Sequence, residues 1–138
     1  MEMALRAALI AWLAADPILS ESLNAVTEET PLEASLPWLA VAASASIDWS
    51  SKSGQGREVR IALELHARAD TPDAVAPVVA MIEERVRCLP RDQGTFAVIV
   101  TEFLRSRSEQ RSETVRGVLL EYRFRILAQL TPFLENNP

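Results

Sequence analysis

Between Glu58 and Ala67 the side chains alternate without a break. Val59, Ile61, Leu63, Leu65 and Ala67 fall on one side, and Glu58, Arg60, Ala62, Glu64 and His66 on the other. A period of two over such a run is the signature of a β-strand with one buried face and one wet face. Such a strand cannot stand alone. It needs neighbours along its edges and an apolar layer against its inner face, so the chain must build a sheet covered on one side.

The rest of the chain supplies the parts. Met3 to Ala15 reads as a helix that stops before Asp16-Pro17, because the residue before a proline avoids the helical region. Leu5, Leu9, Trp12 and Leu13 make one apolar stripe on it, and Met3, Ala7, Ile10 and Ala14 a second on roughly the opposite side. A chain of 138 residues has little material to cover both stripes, which points to a subunit contact for the second. Residues 17–37 read as a short helical or irregular piece and an acidic loop, followed by an alanine- and serine-rich strand over Trp38–Ser46. After the alternating strand, Thr71-Pro72-Asp73 reads as a helix start, with threonine as N-cap and proline in the first turn. That helix runs to about Leu89, with Pro77 out of place inside it. Two further strands are predicted over Thr95–Arg105 and Val115–Leu127, joined by a polar arch at 106–114, with a loose tail over 129–138. The expectation is one α+β domain spanning 1–138. Its antiparallel or mixed four-stranded sheet carries two main helices on one face, in the order α-β-β-α-β-β.

Few kinds of chemistry fit. The single cysteine, Cys88, allows no internal disulfide, and with the single histidine, His66, it leaves a zinc site short of its usual ligands. No metal and no cofactor is expected. No apolar run approaches the roughly 20 residues that span a bilayer, so no membrane partner is expected. "MALRAALIAWLAA" resembles the apolar part of a signal peptide, but its charge is not at the front and its apolar residues fall on helical faces. His66 has no serine or cysteine motif beside it, and Glu83-Glu84 are consecutive on a helix and diverge. "GQG" at 54–56 leads into a strand where a phosphate loop would open a helix. Catalysis is therefore not expected. The net charge of −5 opposes general attraction to nucleic acid. It is also polarised: up to residue 48, Arg6 stands alone against Glu2, Asp16, Glu21, Glu28, Glu29, Glu33 and Asp48.

One stretch says more. "DWSSKSGQGREVRIALELHAR", residues 48–68, resembles the central block of a family of small phage tail-completion proteins that also occur in prophages and gene transfer agents. The matching positions are Asp48-Trp49, Ser51-Lys52, the glycines Gly54 and Gly56, and Glu58-Val59 opening the strand. "LRAALIAWLAADP" is similar to the family's opening helix, "PLEASLPWLAV" to the approach to its first strand, and "RGVLLEYRFRILA" to its closing strand. Ala67-Arg68 stand where the family commonly has an aromatic, and the aromatic it often carries near Thr27 is missing.

The resemblance implies a structural virion protein, a tail terminator. Such a protein forms a ring, usually of six copies, at the head-proximal end of a long non-contractile tail. The ring stops polymerisation of the tube and docks to the head-side stopper or connector protein, and DNA passes through its lumen without specific binding. Its implied partners are itself, the tail tube protein and the connector. Its implied place is the virion, after assembly in the bacterial cytoplasm. Candidate contacts are Met3, Ala7 and Ile10 on the first helix, Asp48, Trp49, Lys52, Gly54 and Gln55 in the loop, and Arg105, Arg107 and Arg111. Trp49 either anchors a pocket on a neighbour, with Lys52 pairing to an acid there, or folds back on its own core. The arch at 106–114 is a candidate to order on the assembled tail. The competing readings are another connector or minor tail component of the same particle, a small enzyme using His66, and a plain dimeric α+β protein.

Overall fold

In a computed structural model, which describes residues 1–69 and 71–129, the chain is an α+β layer structure. Helix α1 (Glu2–Ala14) and helix α2 (Pro17–Ser22) precede a short strand β1 (Ala25–Thr27). Strands β2 (Trp38–Asp48) and β3 (Gly56–Arg68) follow. A 3₁₀ turn (Pro72–Val75) leads into helix α3 (Ala76–Arg87), and strands β4 (Phe96–Gln110) and β5 (Val115–Ala128) are the last elements among the described residues. The sheet has five strands where four were expected, in the order β1-β2-β3-β5-β4. It is mixed: β1 runs parallel to β2, and every other pair is antiparallel.

The alternating strand sits at the centre and behaves as its pattern requires. Val59, Ile61, Leu63 and Leu65 are buried and pair in register with Phe124, Tyr122, Leu120 and Val118 of β5. α1 lies over β2 and β3 and touches α3, which reaches towards β4. Leu5, Leu9 and Leu13 of α1 and Ile82 and Val86 of α3 fill the space between helices and sheet.

Several expectations change, each for a local reason. Asp16-Pro17 ends the first helix but also starts another: Asp16 Oδ1 accepts from the Ile18 N–H at 3.0 Å, with Pro17 in the first turn. β1 holds only three residues, too few to show an alternation, and is pinned by Asn24, whose side-chain amide donates to the Leu36 carbonyl at 2.8 Å. Thr71 makes no side-chain cap. The turn that follows it is 3₁₀, the α-helix proper begins at Ala76, and Pro77 sits in that helix's first turn, where its missing N–H costs nothing. β4 runs five residues beyond Arg105, to Gln110. The 106–114 arch is thus strand up to that point, paired with β5 from Ser106↔Leu120 to Gln110↔Arg116. Ile10 is buried in the chain's own core rather than on an outer stripe. The expected loose tail lies outside the described residues except for Gln129. That residue is tied down, its N–H donating to the Thr95 carbonyl at 2.9 Å and its side chain to Asp92, Gly94 and Phe96.

Where α1 meets α3, Trp12 and Arg85 interlock. The indole N–H donates to the Arg85 carbonyl at 2.7 Å, the Arg85 Nε–H donates to the Trp12 carbonyl at 2.9 Å, and the guanidinium lies 3.3 Å from the centre of the indole.

Candidate functional site

The side of the sheet away from the helices is open, and its charges are arranged by strand register. Glu58 stands opposite Arg125, Glu102 opposite Arg123, and Arg105 opposite Glu121. Each is an ion pair: Arg125 to Glu58 at 3.0 Å, Arg123 to Glu102 at 2.6 Å, and Arg105 in contact with Glu121. Arg107 pairs with Glu109, and Arg111 reaches Glu64 at 3.2 Å. Opposite charges set directly across an antiparallel pair stabilise it, by about 0.2–1 kcal/mol each. Between them Ala43, Ala45 and Ala62 leave a shallow trough bounded by Arg60, Arg105 and Glu121.

β2 shows why its composition is weak and its pairing sound. Its alanines at 43 and 45 take the open face, and Ser44 and Ser46 turn towards α1. Both hydroxyls donate to the Glu2 carboxylate, at 2.6 and 2.7 Å, while Arg6 donates to Ser44 and Arg57 to Ser46. The two serine hydrogen bonds, then the charges of Arg6 and Arg57, hold the Glu2 carboxyl below its ordinary value of 4.5. Arg105 does the same for Glu121 by hydrogen bond and by charge. A carboxylate whose pKa is depressed by folding stabilises the fold above its unfolded value and loses that contribution as pH falls through its folded value. Thermal unfolding is therefore expected at a nearly constant temperature from above pH 4.5 to below pH 10.0, where the unfolded chain's tyrosine begins to ionise, and at falling temperatures below pH 4.5. A Glu2→Gln, Glu121→Gln variant melts lower at neutral pH and changes less on acidification. An unchanged acid slope in that variant would show that other carboxylates set it.

The loop from Asp48 to Gln55 is a compact reversal. The Trp49 N–H donates to the Gly56 carbonyl at 2.9 Å, and Ser51 and Gly54 exchange backbone bonds at 2.9 and 3.2 Å. Ser50 Oγ donates to Asp48 Oδ1 at 2.6 Å and accepts from the Gly56 N–H at 3.0 Å. Lys52, Gly54 and Gln55 are exposed at the tip, and Asp48 is exposed at its base. Trp49 is half-buried, and the Arg125 guanidinium lies 5.4 Å from the centre of its ring. Gly56 is fixed by space: a Cβ there would come within 2.6 Å of the Trp49 carbonyl oxygen and 2.9 Å of the Ile126 carbonyl oxygen. Since backbone must move to admit a methyl group, Gly56→Ala is expected to cost about 1–3 kcal/mol in chemical denaturation. Gly54→Ala, which meets nothing within 4 Å, is the matched control and should cost far less.

The candidate contacts thus occupy three separate places. Met3 and Ala7 are exposed on the outside of α1, and Ile10 is in the core. The 48–55 loop is at the end of the sheet where Gly56 pairs with Leu127. Arg105 and Arg107 lie on the open face, with Arg111 beyond them at the opposite end, where Arg68 pairs with Val115. None of the three arginines is free; each is held by a glutamate. Sequence reasoning marked them singly and missed the lattice. Its only trace is the charge alternation at Glu58, Arg60, Glu121, Arg123 and Arg125, which becomes pairing once the register is known.

His66 is packed rather than poised. Its ring stacks on Trp38 with centroids 4.2 Å apart and planes 10° from parallel, and its Nε2 contacts Glu64. Among the described residues no group of three or more His, Cys, Asp or Glu side chains is placed to hold a metal ion. Among the same residues no helix is long and apolar enough to cross a membrane.

Residues 7–127 match the family model described as tail completion protein gp17. Two solved structures share the fold. One is a chain of the virion of a native gene transfer agent particle, with a TM-score of 0.72 and 19% identity, covering 89% of this chain and 94% of that one. The other is the gp17 protein of bacteriophage SPP1, with a TM-score of 0.58 and 19% identity, covering 89% of this chain and 88% of that one. No curated protein sequence matches the chain.

Proposed function

Because the chain belongs to the tail completion protein gp17 family, we propose that it terminates a long non-contractile tail. In this reading it is a structural component of a phage tail or a phage-like particle, located in the virion. A ring of copies, six by the family's pattern, sits on the head-proximal end of the tube, stops its polymerisation and presents a docking surface to the head's connector. The observation that carries the reading is the family match over residues 7–127, on a fold shared with a chain of a gene transfer agent virion.

The geometry supports it in two ways. A ring needs a heterologous contact, two unlike surfaces that join head to tail and close. Among the described residues the sheet has two unlike open edges: β2 beyond Ala40, where β1 stops covering it, and β4, the last strand on the other side. Edges of this kind are templates for pairing with another chain. The open face suits a lumen. With Arg105, Arg107, Arg111, Arg123 and Arg125 each held by a glutamate, it offers passing DNA paired charges in place of a run of free cations.

Deleting the gene and measuring tail lengths by electron microscopy tests the reading. A terminator leaves overlong, headless tails. Tails of normal length that fail to join heads would instead assign a connector acting later, and unchanged particles would sink the assembly role altogether.

A further inference from the structure

On the helical side of the sheet a cleft of about 390 Å³ opens between the second half of α3 and the edge strand β4. Ala80, Glu83, Glu84 and Arg87 form its helix wall, Thr101 and Phe103 its strand wall, and Tyr122 of β5 its floor. Tyr122 is only 2% exposed, and its hydroxyl is buried without a hydrogen-bond partner among the described residues. A buried hydroxyl left unsatisfied is costly, and this one lines a cleft through which a partner group can reach it from outside. Burial, and then the charge of Glu83, raise the hydroxyl's pKa and keep it protonated.

The walls specify that partner. Arg87 is spent on Glu84, with two contacts at 2.6 and 2.7 Å, while Glu83 makes no ion pair among the described residues. The cleft therefore carries one uncompensated negative charge. Phe103 meets Tyr122 edge-on, ring centres 5.5 Å apart and planes at 71°, and is 47% exposed. A half-exposed ring of this kind changes rotamer readily, and it is the wall that can turn aside to uncover the hydroxyl. Two aromatic rings, a hydroxyl floor and a free carboxylate complement a planar cation with several N–H groups. Guanidinium stacks on aromatic faces and donates in more than one direction at once, which an ammonium does less well.

We propose that this cleft receives an arginine side chain projecting from a partner protein. Its aliphatic stem lies along Ala80 and Phe103, and its guanidinium pairs with Glu83 and donates to the Tyr122 hydroxyl oxygen. The site is independent of the terminator reading, since it is defined by α3, β4 and Tyr122 and asks only for a partner bearing an exposed arginine.

Tyr122 is the chain's one tyrosine, so protein grown with 3-fluorotyrosine gives a single fluorine resonance located in the cleft. The experiment titrates full-length protein with an acetylated, amidated pentapeptide carrying a central arginine between threonines and valines. The same peptide with citrulline, which is isosteric and uncharged, is the comparison. The expected result is a saturable shift with the arginine peptide, weakened about tenfold both by citrulline and by the surface substitution Glu83→Gln. The unliganded spectrum of the variant shows whether the fold is retained. No shift, an equal response to citrulline, or a response untouched by Glu83→Gln would each overturn the proposal.

Discussion

Trp12→Ala is expected to lower stability by about 3 kcal/mol, a large share of what a domain of this size has, and the melting temperature by roughly 10 °C. The magnitude follows from what the indole does beyond filling space. The last four carbonyls of a helix have no partner within it. Arg85 lies in the last turn of α3, and its carbonyl, which otherwise has only a share of the Cys88 N–H at 3.2 Å, accepts the Trp12 indole N–H. Trp12 lies in the last turn of α1, and its carbonyl accepts the Arg85 Nε–H. Each residue therefore caps the other's helix, and the two side chains stack as they do so. α1 has no basic residue in its own last turn, so Arg85 also brings the cation that this helix end favours. Trp12→Phe keeps most of the ring burial but drops the hydrogen bond, and should cost only about 1 kcal/mol. A double-mutant cycle between Trp12→Ala and Arg85→Ala, read by denaturant unfolding, should return a coupling of about 1–2 kcal/mol. A coupling near zero would mean that the two residues stabilise their helices separately.

How far the sequence reveals this molecule depends on the range of each interaction. The alternation from Glu58 to Ala67 is a local signal, and it correctly placed the central strand and its buried face. The same holds for the leucines of the α1 stripe, all three of which are buried. What stayed hidden depends on distant partners or on two meanings of one motif. β1 exists because Ala25–Thr27 lies beside Trp38–Ala40, a pairing that three residues cannot announce. Asp16-Pro17 was legible as a stop, and a short helical or irregular piece was expected after it; that the same pair caps and starts that helix was not read. Ser106 to Gln110 looks like loop because its composition is polar, but β5 lies beside it and an edge strand needs only one neighbour. Ile10 shows the limit of a helical wheel: it sits beside the core stripe, and only the packing of the sheet decides that it is covered. The ion-pair lattice was half visible. Glu58 and Glu64 were placed on the outer face of their strand, while the pairing required a register no single strand contains.

If the proposed ring closes through the outer edge of β4, blocking that edge is expected to abolish it while leaving the subunit folded. The Arg111 N–H donates to the Val115 carbonyl, so residues 111 and 115 form a hydrogen-bonded pair of the antiparallel ladder. Such pairs alternate with pairs whose N–H groups point away from the partner strand. Counting back along the register, Ser106 and Ser108 turn their N–H groups outward, and both side chains are exposed. Proline at an outward position of an edge strand removes a donor that the chain's own sheet does not use. Ser106→Pro, Ser108→Pro should therefore melt within a few degrees of the parent and yet fail in the particle. If the ring closes through this edge, complementing a gene deletion with the double variant gives tails as long as those of the deletion, and infectivity or gene transfer no higher. Matched lysine substitutions at the same two positions add charge but keep both N–H groups, and should impair assembly less. Tails of normal length from the proline variant would show that the subunits join through another surface, with the outside of α1, where Met3 and Ala7 remain uncovered, the next to test.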